Sequence, residues 1–313
     1  MTSDAQMGSA RPGSRASETL SWLAAACGFD LAGERKVAAL ASTASVYADL
    51  CAPRGASQRA HDLVARFTLL FFLVDDASQG ELPDLLSAVS NEAQGFGAAW
   101  SIGRYSQALR VWLAEFPERE LAHARLQQHF ADAYHDYLAA RRVEHENKSA
   151  RELSIDEHWD FRRRTIFMEP YLDLWMLLLR VDLDALAEAP FAEARSVAVD
   201  LVLLANDLAS AERDSKSGAS PDDLNLIHTY ARVHAESEAE AVERLVAHHN
   251  MLIERYRTVT ASALAERPSQ HATNYAEILS GVVDGNIASV RALSSRYPGA
   301  EPLMQRLLSC RTS

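Results

Sequence analysis

The sequence predicts an all-α protein, and three observations carry that reading. Glycine and proline are sparse, at 13 and 10 in 313 residues. Ala, Leu, Glu and Arg, all good helix formers, recur along the whole chain. No stretch shows the β-branched, polar–apolar alternation of a half-buried strand. At 48% hydrophobic and 24% charged residues the chain can bury a sizeable core. About ten helices, with no internal repeat and no shift in composition, predict a single helical bundle.

Residues 1–17 are rich in Ser, Ala, Gly and Arg and carry Pro12, so they read as a disordered tail, leaving 18–310 for the domain. A first helix is predicted over 17–27, with Ser17 as its cap and Leu20, Leu23 and Ala24 on one face. The second covers 34–50 and stops before Pro53 and Gly55, and the third covers 58–77. Helices over 82–100 and 105–116 follow, separated by Gly103. After Pro117 a long helix spans 119–146, and its charged end (Arg141, Arg142, Glu144, His145, Glu146) reads as a solvated face. Within 154–179, Ser154 and Glu157 have capping-box spacing, and Pro170 predicts a kink or break. Residues 190–212 form another helix and 214–223 a loop. Helices over 224–234, 236–266 and 274–293 complete the set, with Pro268 between the last two.

The net charge of −12 argues against a basic nucleic-acid-binding surface. Cys27, Cys51 and Cys310 are far apart and match no metal-ligand spacing, which fits a reducing cytoplasm. The first residues lack the basic and apolar regions of a signal peptide. The most apolar run, 67–74, is far shorter than the roughly 20 residues of a membrane span. His248 and His249 are adjacent and share no helix face. His158 directly follows Glu157, which is not the Glu-x-x-His spacing of a di-iron bundle. The histidines therefore read as surface or satisfied core residues.

Two stretches hold the candidate chemistry. In the first, the apolar run 69–74 leads directly into Asp75 and Asp76, with Glu81 beyond. Carboxylates at the end of so apolar a helix are costly unless a cation or hydrogen bonds offset their desolvation. Mg²⁺ takes oxygen ligands of this kind. The plainer explanation is a buried helix whose polar end reaches solvent. In the second stretch, Asn206, Ser210 and Asp214, spaced i, i+4, i+8, follow the run 199–205, apolar but for Asp200. At about 100° per residue they share one helix face, placing an amide, a hydroxyl and a carboxylate oxygen in a column. Arg213 stands beside it, where it could pair with a phosphate. An ordinary amphipathic helix end would show the same residue types.

Asn206, Ser210, Arg213 and Asp214 resemble the second metal motif of microbial class I terpene synthases, with Asp214 where the family usually has Glu. Asp75-Asp76 resembles the family's aspartate-rich first motif, more loosely, because the next acid is as far on as Glu81. Arg162-Arg163-Arg164-Thr165-Ile166 resembles the family's diphosphate-sensing arginine with its linker and effector residues. Arg162 precedes Asn206 by 44 positions, close to the family's usual separation. Arg296-Tyr297 is similar to the family's Arg-Tyr pair. Two departures stand out: Phe167 occupies the place of a common glycine, and residues 286–289 lack a tryptophan often found before the Arg-Tyr pair.

The resemblance implies a single-domain class I terpenoid synthase-like bundle around a central cavity. It implies a carbon–oxygen lyase that ionises a linear prenyl diphosphate and cyclises the resulting carbocation. Asp75 and Asp76 on one side, and Asn206, Ser210 and Asp214 on the other, would hold three Mg²⁺ ions. Arg162, Arg213, Arg296 and Tyr297 would bind the diphosphate, with Arg163 an alternative to Arg162 as its sensor. Phe71, Thr165, Ile166 and Phe167 would line the cavity, where aromatic faces stabilise cations. Phe67, Trp159, Tyr171 and Trp175 are further aromatic candidates. Farnesyl diphosphate is the family's commonest substrate; geranylgeranyl diphosphate or a bicyclic diterpenyl diphosphate is the alternative. The partner is thus a small molecule, with the oligomeric state, a homodimer included, left open. Two rival readings are a chain-elongating prenyl diphosphate synthase, which would carry two Asp-rich motifs, and a non-catalytic helical scaffold.

Overall fold

A computed structural model describes residues 12–27, 35–75, 104–116, 124–146, 153–181, 189–216 and 225–310. Every regular element among them is a helix: α1 (Pro12–Cys27), α2 (Arg35–Leu50), α3 (Gln58–Asp75), α4 (Arg104–Ala114), α5 (Ala124–Glu146), α6 (Ile155–Thr165), α7 (Met168–Leu179), α8 (Ala189–Lys216), α9 (Leu226–His234), α10 (Glu238–Glu266), α11 (Gln270–Ala292) and α12 (Glu301–Met304). The all-α expectation holds, and the described helices share one hydrophobic core. The predicted helix over 82–100 lies outside the described residues.

Helix α8 is the hub. It is buried from Val197 to Ala205 and apolar there but for Asp200, as suits a helix largely surrounded by protein. It packs against α6, α7, α9, α10, α11 and α12. Helix α7 is buried from Met168 to Leu177 apart from Glu169, and it carries the fully buried Asp173. A charge in that position needs partners. Arg195 of α8 supplies one at 2.8 Å and His129 of α5 another at 2.6 Å, so the ion cluster ties three helices together.

Four boundaries differ from expectation. Helix α1 starts at Pro12, inside the expected tail, because Arg15 is buried in ion pairs with Asp49 and Asp62. The chain breaks between α6 and α7 at Phe167 rather than at Pro170, which sits in the first turn of α7, where a missing N–H costs little. The capping box of Ser154 and Glu157 forms as predicted. Helix α8 runs on to Lys216, through the start of the expected 214–223 loop. Helix α11 begins a turn early, capped by Ser269.

Helices α2 and α11 touch almost backbone to backbone. A Cβ on Gly285 would lie 2.3 Å from the Leu50 carbonyl oxygen, so only glycine fits there. This seam sets Tyr47 of α2 beside Asn286 of α11, with the Tyr47 hydroxyl donating to Asn286 Oδ1 at 3.3 Å.

Candidate active site

The site grows from the C-terminal end of α3. Asp75 closes that helix with its side chain half-buried, and two arginines converge on it. Arg141 of α5 donates from Nη2 to the Asp75 carbonyl at 3.3 Å and lies 3.9 Å from Oδ1. Arg296, just beyond α11, comes within 3.8 Å of Oδ2 from another direction. Its guanidinium lies over the Phe72 ring at 4.9 Å and near Tyr297 at 5.9 Å, both cation–π contacts. Backbone bonds from Arg296 and Tyr297 to the Leu293 carbonyl fix this pair in a tight turn.

Arg141 corrects the expectation of a solvated charged face. It continues the buried stripe of Tyr134, Tyr137 and Leu138, one turn past Tyr137. Burial pulls its pKa down, but Glu144, Tyr137 and Asp75 outweigh that and hold it charged. The Tyr137 hydroxyl, buried near Arg141 and Asp75, has no hydrogen-bond partner among the described residues.

The second half is built on α6 and α8. Arg162 donates to Asp207 through Nη2 at 2.5 Å and Nε at 3.4 Å, and to Thr165 Oγ1 through Nη1 at 2.9 Å. Burial lowers its pKa, and Asp207 first, then Glu144 and Asp75, raise it above the ordinary value. Asp75 thus acts on Arg162 as well, which joins the α3 and α8 halves electrostatically. Ile166 caps α6, its N–H bonded to the Arg162 carbonyl, and Phe167 follows in the left-handed region at φ 65°. That conformation explains why glycine suits the position.

Arg163 points elsewhere. It pairs with Asp200 at 2.7 Å and Asp160 at 2.9 Å, and lines an outer groove with His129 and Arg195. The geometry separates the two arginines: Arg162 pairs with Asp207, next to Asn206, and Arg163 with Asp200.

Asn206 is partly accessible on α8, and Ser210 lies a turn further on, its hydroxyl accepting from Asn225 Nδ2 at 3.4 Å. The helix backbone continues through Arg213 and Asp214, so the i, i+4, i+8 column is helical throughout. The side chains of Arg213 and Asp214, and all of Asp76 and Glu81, lie outside the described residues. No group of three or more His, Cys, Asp or Glu among the described residues could hold a metal ion. The donors on hand are the carboxylate of Asp75 and the oxygens of Asn206 and Ser210. An all-oxygen set without sulfur or imidazole suits a hard cation such as Mg²⁺.

Sequence reasoning assigned no role to Asp207 and Asn225. Asp207, 1% exposed, accepts from Arg162 and also from the Leu226 amide at 3.0 Å. Asn225 donates to the Asp207 carbonyl at 2.9 Å and caps α9 by accepting from the Ile227 amide. The signal for Asp207 was its place in Asn206-Asp207, where only the first residue fell on the metal column.

An aromatic wall backs the site. Phe167 stacks on Phe71 at 4.3 Å and contacts Phe67, Tyr134 and Tyr137. Phe67 in turn stacks on Trp112 at 4.6 Å. Tyr171 and Trp175 lie edge to face beside Tyr47 and His61. Trp159 is not part of this wall: it packs on His248 and donates to the Tyr230 hydroxyl.

Comparison with known proteins agrees with this arrangement. The family described as terpene synthase family 2, C-terminal metal binding, matches residues 66–255. A (+)-eremophilene synthase of Sorangium cellulosum is 24% identical over 260 residues, 80% of this chain and 78% of that protein. The linalool/nerolidol synthase of Streptomyces clavuligerus, solved with 2-fluorogeranyl diphosphate, superposes with a TM-score of 0.74 at 20% identity, covering 92% of this chain and 96% of that one. An α-eudesmol synthase structure superposes with a TM-score of 0.71 at 18% identity, over 94% and 99% of the two chains. No described helix is long and apolar enough to cross a membrane. Because the family match spans more than half of the sequence and takes in both halves of the site, the chain belongs to the terpene synthase family, in its bacterial class I form.

Proposed function

We propose that the protein is a Mg²⁺-dependent terpene cyclase that ionises a linear prenyl diphosphate, with farnesyl diphosphate as its substrate. The observation that carries this reading is the convergence of Arg141 and Arg296 on Asp75, with Arg162 within electrostatic reach of the same carboxylate. Two guanidinium groups beside a carboxylate provide for both parts of a metal-bound diphosphate: cations for the anion, and an anion for the metal.

Asp75 and Asp76 on one side, and Asn206, Ser210 and Asp214 on the other, would hold the Mg²⁺. When bound, the metal acts as a Lewis acid on the leaving diphosphate oxygens. Arg162, Arg213 and Arg296, with the Tyr297 hydroxyl, would meet the charge that builds on the diphosphate as the carbon–oxygen bond breaks. Donors placed in advance at a developing charge stabilise it without reorganising. Phe71 and Phe167 would turn apolar ring faces to the hydrocarbon cation, excluding water while attracting positive charge. No nucleophilic side chain is required.

The test is incubation of the purified protein with geranyl, farnesyl, geranylgeranyl and bicyclic diterpenyl diphosphates, each with and without Mg²⁺, followed by gas chromatography–mass spectrometry. A cyclic product from farnesyl diphosphate, absent without Mg²⁺, is the expected result. A cyclic product from a diterpenyl substrate alone would move the substrate assignment to the longer chain. A linear, elongated diphosphate formed with added isopentenyl diphosphate would overturn cyclisation in favour of chain elongation.

A further inference from the structure

One buried polar cluster on the aromatic wall is left unexplained by diphosphate chemistry. Tyr47 donates to Asn286 Oδ1, while the other amide atom, Asn286 Nδ2, has no hydrogen-bond partner among the described residues and lies in a residue only 3% exposed. Rotating the amide does not remove the orphan. Tyr47 Oη can accept from Nδ2 as readily as it donates to Oδ1, and Oδ1 is then the unpaired atom. Among the described residues the Tyr171 hydroxyl, which faces Cys51, Thr68 and Trp175, also lacks a well-formed hydrogen bond, as does the Trp175 indole N–H. Buried polar groups are rarely left unpaired, and a clustered set of them is the usual setting of a bound water.

Tyr47 keeps accessible surface although Cys51, Phe72, Tyr171 and Asn286 around it are buried. The cluster adjoins the site, because Tyr47 packs edge to face on Phe72, the ring that carries Arg296. None of these side chains is a carboxylate or an imidazole, and burial keeps the Cys51 thiol protonated and turned to the Val282 carbonyl, so a bound water is the nucleophile the cluster could present.

We propose that Tyr47 and Asn286 hold one water molecule at the aromatic wall and deliver it to the carbocation, so that the product is an alcohol. The inference rests on the ionisation reading given above. In the ionising step, diphosphate leaves with the electron pair of the carbon–oxygen bond. An oxygen lone pair of the held water then forms a new bond to the cationic carbon, and the resulting oxonium gives its extra proton to the diphosphate anion. One water is consumed and no oxidant is needed.

The experiment runs the full chain with Mg²⁺ and each prenyl diphosphate in oxygen-labelled water, following diphosphate release and product mass together. The expected result is a labelled alcohol from the unaltered protein. In Tyr47→Phe and Asn286→Leu, the share of released diphosphate matched by alcohol should fall about fivefold to tenfold in favour of hydrocarbon, as losing one hydrogen bond to the water would give. An unchanged alcohol share in both variants overturns the proposal, as does a purely hydrocarbon product from the unaltered protein while diphosphate is released. No diphosphate release from any substrate overturns the ionisation reading and this proposal with it. Should Asn286→Leu fail to fold, Tyr47→Phe, which deletes one oxygen, still decides. A crystal structure gives a readout independent of activity: an ordered water bonded to Tyr47 Oη and the Asn286 amide supports the proposal, and its absence among well-resolved waters contradicts it.

Discussion

Phe71 and Phe167 lie face to face, with ring centroids 4.3 Å apart and planes 9° from parallel, although Phe167 reaches that position from a left-handed backbone at φ 65°. That backbone costs a residue with a side chain about 1–2 kcal/mol, whereas emptying a buried aromatic position costs about 3–5 kcal/mol. Packing outweighs strain. Phe167→Gly relieves the backbone but loses the ring, for an expected net loss of about 2–3 kcal/mol. Phe167→Ala loses the ring and keeps the strain, so it should be less stable than the glycine variant by about 1 kcal/mol. Denaturant titration of the three proteins checks the order, and an alanine variant more stable than the glycine one would contradict it.

Asp207→Ala removes the counter-ion of a buried arginine and the acceptor for the Leu226 amide together. Removing one partner of a buried pair costs about 3–5 kcal/mol. Asp207→Asn can still accept from that amide and should lose less. Equal losses in a denaturation experiment would mean that the amide contact is idle.

Arg162→Ala and Arg296→Ala should each lower turnover about 10²-fold or more, the scale of losing one preorganised donor to a developing charge. Arg163→Ala, whose partners are Asp160 and Asp200, should change turnover little. Steady-state kinetics on the three variants tests the separation of the neighbouring arginines, and a collapse confined to Arg163→Ala would reverse it.

The glycines of α11 differ in what surrounds them. Gly285→Ala would press a methyl group onto the Leu50 and Cys51 backbone, which cannot give way as a side chain can. Overpacking of this kind costs about 1–3 kcal/mol. Gly281→Ala meets the Cys51 carbonyl oxygen only at 3.3 Å and should be milder. Thermal melting should rank them in that order; the reverse ranking would refute the close approach of α2 and α11.

Histidines should make stability depend on pH in two opposed ways. Burial drives His158 and His249 down to about 4, so each stays neutral in the folded state while the unfolded chain takes up a proton near the usual value of about 6.5. Their effect is a loss of stability as pH falls from about 6.5 towards 4. His129 works the other way. Its hydrogen bond to Asp173 raises its pKa, so its contribution is full below about 6.5 and is lost as pH rises through the raised value. Melting curves of His158→Gln should show a shallower decline on the acid side, and those of His129→Gln a shallower one on the alkaline side. Unaltered slopes would remove these residues from the account.

Much of this arrangement was legible in the chain. The composition gave helices, and residues 69–75 gave an acid at the end of an apolar helix. The four-residue steps gave Asn206 and Ser210 on one face. What escaped were groups whose role depends on a neighbour from a distant helix. Arg141 was read with the charges around it, although its spacing from Tyr134, Tyr137 and Leu138 already put it on the buried stripe. Arg162 and Arg163 are equivalent until α8 offers Asp207 to one and Asp200 to the other. Pro170 drew attention as a breaker, yet the chain breaks at Phe167, because packing its ring against Phe71 outweighs its backbone preference.

Asp207 has a wider consequence, because its carboxylate serves two parts of the molecule at once. Arg162 donates to Oδ1 and, at longer range, to Oδ2, and Oδ2 also takes the first amide of α9, 19 residues along the chain. An anion that draws the Arg162 guanidinium towards itself competes for the same carboxylate. As the ion pair loosens, more of the Asp207 charge is left for the amide at the head of α9. Filling the site would thereby be registered as a tighter grip on the head of α9, so hydrogen exchange at Leu226 would report whether the site is full or empty.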